Sequence, residues 1–220
     1  MIIGKETGSL EDRVFWALED AILCGEFKSG DALTELGISE QLGVSRTPVR
    51  GALHRLAEEG LVSLAPNRGA VVVGVTKDDL IDIYRIRTRL EGLASALAAE
   101  NMTEEEKKIL TDSVELAEFY IRRQDAEHMK ELDTAFHSTI YQASGSRLLC
   151  KILSDLHRNI RVYRKLSLTA DGRLEKSVEE HRGILEAILC GDAAEADRLT
   201  SLHVEHALAN TLSILDETNR

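Results

Sequence analysis

Only one stretch of this chain patterns as β-structure, and it is short. "LVSL" (61–64) and "AVVVGV" (70–75) are apolar runs separated by "APNRG", whose proline, asparagine and glycine mark a turn. Elsewhere apolar residues recur at helical spacing, so the expected fold class is mainly α. Ahead of the hairpin, helices are predicted at 9–24, 34–42 and 45–59. Ser9 can cap the first, with Asp12 at the capping-box position, and Val14, Ala17, Leu18, Ala21 and Ile22 line one face. Gly43 and Gly60 close the next two, Gly60 at a natural left-handed cap position. Helix, helix, helix, hairpin is the order of a winged helix-turn-helix, assigned to residues 1–75.

After Thr76 no strand pattern appears. Helices are predicted to about Glu100 and then at about 103–123, 125–143, 146–166, 173–190 and 192–216, with breaks at Gly145, Gly172 and Gly191. Thr103 and Glu106 form a second capping box. Residues 76–220 are therefore expected to be an all-α helical bundle.

A formal charge of −11 argues against a protein that coats nucleic acid or anionic membrane non-specifically. Any contact with DNA must come from a local patch. Cys24, Cys150 and Cys190 are far apart in sequence and read as reduced, mostly buried thiols. No signal peptide and no apolar run long enough to span a bilayer is visible, so the chain is expected to be cytoplasmic, with no membrane partner.

The local patch is "SRTPVRGALHR" (45–55), which has three arginines and no carboxylate. Ser45 can accept from the free amides of the helix it starts, and Pro48 falls in the first turn, where its missing N–H costs nothing. Val49, Ala52, Leu53 and Leu56 share a packing face, while Arg46, Arg50 and His54 recur every four residues on the other. Hydroxyls beside two arginines at a helix N-terminus suit phosphate oxygens and guanine edges. A solvated amphipathic helix has the same charge pattern; the preceding helix and the following hairpin favour DNA. At the hairpin tip, Arg68 supplies a cation for the minor groove, and Gly69 a bare backbone for phosphate.

"LGVSRTPVRGALHRLAEEGLV" strongly resembles the amino-terminal signature of the GntR family of bacterial transcription regulators, over roughly residues 10–75. It departs from that signature at Gly51, where members often carry an acidic residue. The resemblance implies DNA contacts by Ser45, Arg46, Thr47 and Arg50, helped by Gly69. Residues 1–75 carry seven Lys/Arg against eleven Asp/Glu, so affinity must come from concentrated contacts and from a homodimer on a palindromic double-stranded operator.

In the second half, "ELDTAFHSTIY" places Asp133 and His137 one helical turn apart on one face. His181 shares an apolar stripe with Val178, Leu185 and Ile188 and should face inward; either His203 or His206 could face the core with it. Imidazoles and a carboxylate converging in a helix bundle suit a transition metal, although each histidine singly reads as an ordinary core or surface residue. Residues 77–215 are similar to the FCD ligand-binding domain of the FadR subgroup of GntR regulators. That resemblance implies the ligand set Asp133, His137, His181 and His203, with zinc or nickel as the divalent metal and open positions for a small carboxylate effector or water. It also implies that Arg87 reaches the cavity to pair with the effector carboxylate, with Arg85 and Arg89 facing solvent or a dimer partner. Arg161, Tyr163 or Arg164 are further candidates for the cavity wall.

Three readings follow. The first is a dimeric, effector-responsive DNA-binding transcription regulator, a repressor by preference and not an enzyme. The second is a metal-dependent enzyme with Glu179 or Glu180 as general base on a metal-bound water. The third keeps DNA binding and makes the metal purely structural.

Overall fold

Ser9 and Asp12 start the first helix reciprocally. Ser9 Oγ accepts from Asp12 N at 3.1 Å, and Asp12 Oδ2 accepts from Ser9 N at 3.0 Å. In the computed structural model, which describes residues 8–65, 69–123, 126–168 and 172–218, this cap opens α1 (Leu10–Leu23). The chain divides into two compact units, Met1–Lys77 and Asp78–Arg220.

The first unit continues with β1 (Ala32–Leu33), α2 (Glu35–Leu42), α3 (Arg46–Glu58), β2 (Val62–Ala65) and β3 (Gly69–Val72). Val14, Phe15 and Leu18 of α1 pack on Val49, Leu53 and Leu56 of α3, all nearly or fully sealed from solvent. This is the apolar face predicted for the 45–59 helix. Gly43 and Gly60 adopt positive φ, 66° and 76°, and turn the chain out of α2 and α3.

Three details depart from expectation. The sheet has three strands in the order β1-β3-β2, not a lone hairpin, because Ala32 and Leu33 pair with Val71 and Ala70. A two-residue strand is too short to show an alternation in sequence. Ser45 has the extended backbone of an N-cap, but its side chain makes no capping bond. Pro48 stands at the third helical position and has no N–H for Ser45 to bind. The cysteines form no disulfide, but they are not mostly buried: Cys24 and Cys190 are exposed and Cys150 is half-buried. Cys24 and Cys190 are the C-caps of their helices, where the chain turns outward.

The second unit holds α4 (Lys77–Asn101), α5 (Glu104–Arg122), α6 (Ala126–Ala143), α7 (Arg147–Asn159), α8 (Arg161–Leu168), α9 (Arg173–Leu189) and α10 (Ala193–Thr218). No strand follows Val72 among the described residues, and no helix there is long and apolar enough to cross a membrane. Thr103 and Glu106 form the expected box. The helix predicted at 146–166 is two helices, parted at Ile160, whose side chain is fully buried. The turn at Ile160 lets α8 approach α6, so that Arg164 meets Asp133. Leu110, Phe136, Ile140, Leu153, Ile184 and Ile188 lie in the core these helices share.

Candidate nucleic-acid interface and metal centre

Ser45, Arg46, Thr47 and Arg50 are all exposed along the start of α3, and His54 continues the same ridge. Arg50 donates from Nε and Nη2 to the two oxygens of Glu35, both at 2.7 Å, while Arg46 Nη2 reaches Glu35 Oε2 at 3.4 Å. These groups border a cleft of about 650 Å³ whose far wall includes Leu64, Ala65 and Gly69. Arg55 belongs elsewhere: it donates to Asp12 at 2.6 Å and lies 4.1 Å over the Phe15 ring. Of the three arginines in the 45–55 window, two face the ridge and one ties α3 to α1.

Gly69 has a steric cause. Its φ is +91°, and a Cβ there would stand 2.1 Å from the Leu33 carbonyl oxygen, so only glycine lets β3 lie this close to β1. Arg68 lies outside the described residues. At Gly51 a Cβ would meet the Glu11 carboxylate at 2.1 Å, so an acid of α1 fills the space that a side chain at 51 would need.

In the second unit, His137 of α6, His181 of α9 and His203 of α10 are buried and bring one ring nitrogen each to within 4.8 Å of the others. His181 Nε2 and His203 Nε2 are 3.4 Å apart, the spacing required of two nitrogens that share one ion at about 2.0–2.1 Å. Asp133 Oδ1 lies 3.7 Å from His181 Nε2 and 4.0 Å from His137 Nε2. His206, the alternative to His203, has a half-exposed side chain and points away from this group.

The outward nitrogens are backed by carboxylates. His203 Nδ1 lies 2.7 Å from Glu180 Oε2, which also accepts from Arg173 at 2.9 Å, while Glu180 Oε1 holds His206 Nδ1 at 2.8 Å. An ionised carboxylate only accepts, so His203 carries its proton on Nδ1 and presents a bare Nε2 when neutral. His137 Nδ1 lies 3.0 Å from Glu91 Oε2, as an ion-pair contact. Phe136 stacks on the His181 ring at 3.9 Å between centroids and fixes its plane.

Electrostatics suit the same chemistry. Burial pushes His181 well below the ordinary imidazole value, aided by His203, and burial likewise lowers His203 against the opposing pull of Glu180. Burial would raise Asp133, but Arg164 and the histidines outweigh it and hold the carboxyl far below the usual range. Glu180 is lowered to about 2, its burial offset by His203 and Arg173. Neutral imidazoles beside an ionised carboxylate are the protonation states a divalent transition metal binds. The residues fit such an ion.

Arg87 is buried beside this centre and donates from Nε to Glu91 Oε1 at 2.6 Å, while its Nη1 has no partner. Arg85 and Arg89 are exposed. Arg87, Asp133, His137, Arg164, Arg173 and His203 all border one cavity of about 30 Å³. Arg164 contacts Asp133 Oδ2, leaving Oδ1 towards the histidines. His157 was not legible as a site residue. It is buried, with Nδ1 3.2 Å from the Tyr141 hydroxyl and Nε2 unpartnered, and burial keeps it well below the ordinary imidazole value. Glu91 and Tyr141 were also missed, since a helix-face acid and a core tyrosine carry no signal in sequence.

A winged helix-turn-helix with an arginine ridge, followed by a helical unit with a buried His/Asp centre, defines the class of a DNA-binding transcription regulator with a second, all-helical domain. Residues 10–72 match the bacterial regulatory proteins of the gntR family, and residues 82–206 match the FCD domain. The HTH-type transcriptional regulator YdhC of Bacillus subtilis strain 168 is 31% identical over 91% of this chain and 90% of its own length. The gluconate operon transcriptional repressor of the same strain is 32% identical over 79% of this chain and 70% of its own. The solved structure of Escherichia coli McbR/YncC superposes with a TM-score of 0.75 at 28% identity, covering 94% of this chain and 99% of that one. The chain belongs to the GntR family of transcription regulators and carries an FCD domain. The enzyme reading falls with these relatives, all of them regulators, and Glu180, one of the two candidate bases, is engaged by Arg173, His203 and His206.

Proposed function

We propose that this regulator acts as a cytoplasmic homodimer that represses transcription from a palindromic operator and is tuned by a small carboxylate metabolite at a metal centre. Asp133, His137, His181 and His203 hold the ion; Ser45, Arg46, Thr47 and Arg50, with Arg68 and Gly69 at the wing, meet the DNA. Zinc or nickel is the ion favoured by three imidazoles and a carboxylate. When bound, it supplies a Lewis-acidic position for a carboxylate oxygen. Arg87 Nη1, buried and unpartnered, supplies the second anchor. A repressor's role is supported by the gluconate operon repressor among the relatives.

The observation that carries this reading is the meeting of three buried imidazoles from three helices. A cavity of about 30 Å³ holds water but not a metabolite, so effector entry requires a side chain to turn. Arg164, half-buried across Asp133, is that side chain. The effector then alters operator binding by favouring one dimer arrangement over another.

Metal analysis of protein purified without chelator should find about one ion per chain in wild type and none in His137→Ala. Small dicarboxylates and hydroxy acids should raise the melting temperature of the loaded protein, and less so for Arg87→Ala. A metal-free wild type would end the metal reading. A loaded protein indifferent to every acid would leave the metal structural.

A further inference from the structure

The guanidinium of Arg50 is more than half exposed, yet it is not free to turn. Glu35 grips it side-on, with Oε1 accepting from Nε and Oε2 from Nη2, both at 2.7 Å. Two parallel bonds fix the plane of the guanidinium as well as its position. Of its five N–H donors, the side-on grip uses the Nε–H and one Nη2–H. The end-on fork, one hydrogen of Nη1 and the other of Nη2, stays open. That fork spans the O6 and N7 atoms of a guanine edge.

The backbone that carries Glu35 is fixed by a helix cap. Glu35 is the first residue of α2, whose N-cap Thr34 accepts from Gly37 N at 3.1 Å, and an acid in a first turn is favoured by the helix dipole. Leu36, Leu53 and Leu64 line the cleft in which the pair sits. A protein whose affinity rested on phosphate contacts alone would gain nothing from a carboxylate between its two leading arginines, since Glu35 repels the DNA backbone.

We propose that Glu35 is a specificity-determining positioning residue: by gripping Arg50 side-on it presents the end-on fork to a base and withholds the arginine from phosphate. This rests on the DNA-binding role of Arg50 proposed above.

The test uses the full chain. Wild type is first taken through site selection on randomised duplexes. Affinities are then titrated at one salt concentration for the selected duplex and for a scrambled duplex of equal length. Glu35→Gln removes the charge and one acceptor; Glu35→Asp keeps the charge but is one methylene too short for the two-oxygen grip. Both should lower the ratio of selected to scrambled affinity by about tenfold, the discrimination of one bidentate base contact. Glu35→Gln should also tighten scrambled binding several-fold, whereas Glu35→Asp should leave it within about twofold. Repeating the selection should show relaxed preference at the half-site position that Arg50→Ala also relaxes. A wild-type ratio in both variants, from a site-selecting wild type, overturns this inference alone. A wild type that selects no sequence overturns the DNA-binding reading and this inference with it.

Discussion

Three arginines on one helix, Arg46, Arg50 and Arg55, do different work because their neighbours differ. Arg46 and Arg50 stand on the solvent ridge of α3, whereas Arg55 is spent on Asp12 and the Phe15 ring. Replacing Arg46 or Arg50 by alanine should cost operator affinity about 1–3 kcal/mol while leaving the melting temperature in place. Arg55→Ala should do the reverse: a stability loss of about 1 kcal/mol, from the ring contact and a partly exposed ion pair, with operator affinity held once folded. Gel-shift titrations beside thermal melts separate the two cases. Gly51 shows the same dependence on neighbours. It departs from the signature pattern, and Glu11 lies where its side chain would be.

At the scale of elements, the small sheet depends on one backbone approach. Gly69 opens β3 with φ +91° against the Leu33 carbonyl of β1. Gly69→Ala should destabilise the first unit by about 1–3 kcal/mol through a strained φ and a backbone contact that cannot relax. A two-stage melt should show the loss in one stage only; an unshifted melt would mean that β1 moves aside. Helix existence and most ends were readable, because capping boxes at Ser9 and Thr103 and glycines at 43, 60, 145 and 191 are local signals. β1 and the break at Ile160 were not. Both are made by partners distant in sequence, β3 for the strand and the bundle core for the buried isoleucine.

For the molecule as a whole, the buried histidines set a pH dependence. His157, His181 and His203 are held neutral by burial, below the ordinary value of 6.5. Unfolding frees them to take up protons, so the stability they contribute is present above pH 6.5 and lost as pH falls below it. Glu180, at about 2, and the lowered Asp133 and Glu91 withdraw theirs only at pH values below the ordinary carboxylate range. Metal-free protein should therefore melt progressively lower as pH falls from about 6.5 to 5.5, before Asp133, Glu91 or Glu180 titrates. Flat melting across that range would show that the imidazoles are open to solvent. Loaded protein should release its ion over the same interval, as protons compete for the ligand nitrogens.

The order of the elements apart from β1 and the α7–α8 break, the arginine ridge and the Asp133–His137 pair follow from the sequence alone, because period, caps and i,i+4 spacing are properties of neighbouring residues. Choosing His203 over His206, placing Glu180 and Glu91 behind the ring nitrogens, and setting Glu35 against Arg50 needed the tertiary structure. Each of those contacts joins residues on different helices, and local sequence does not encode the rotation of one helix about its axis relative to another.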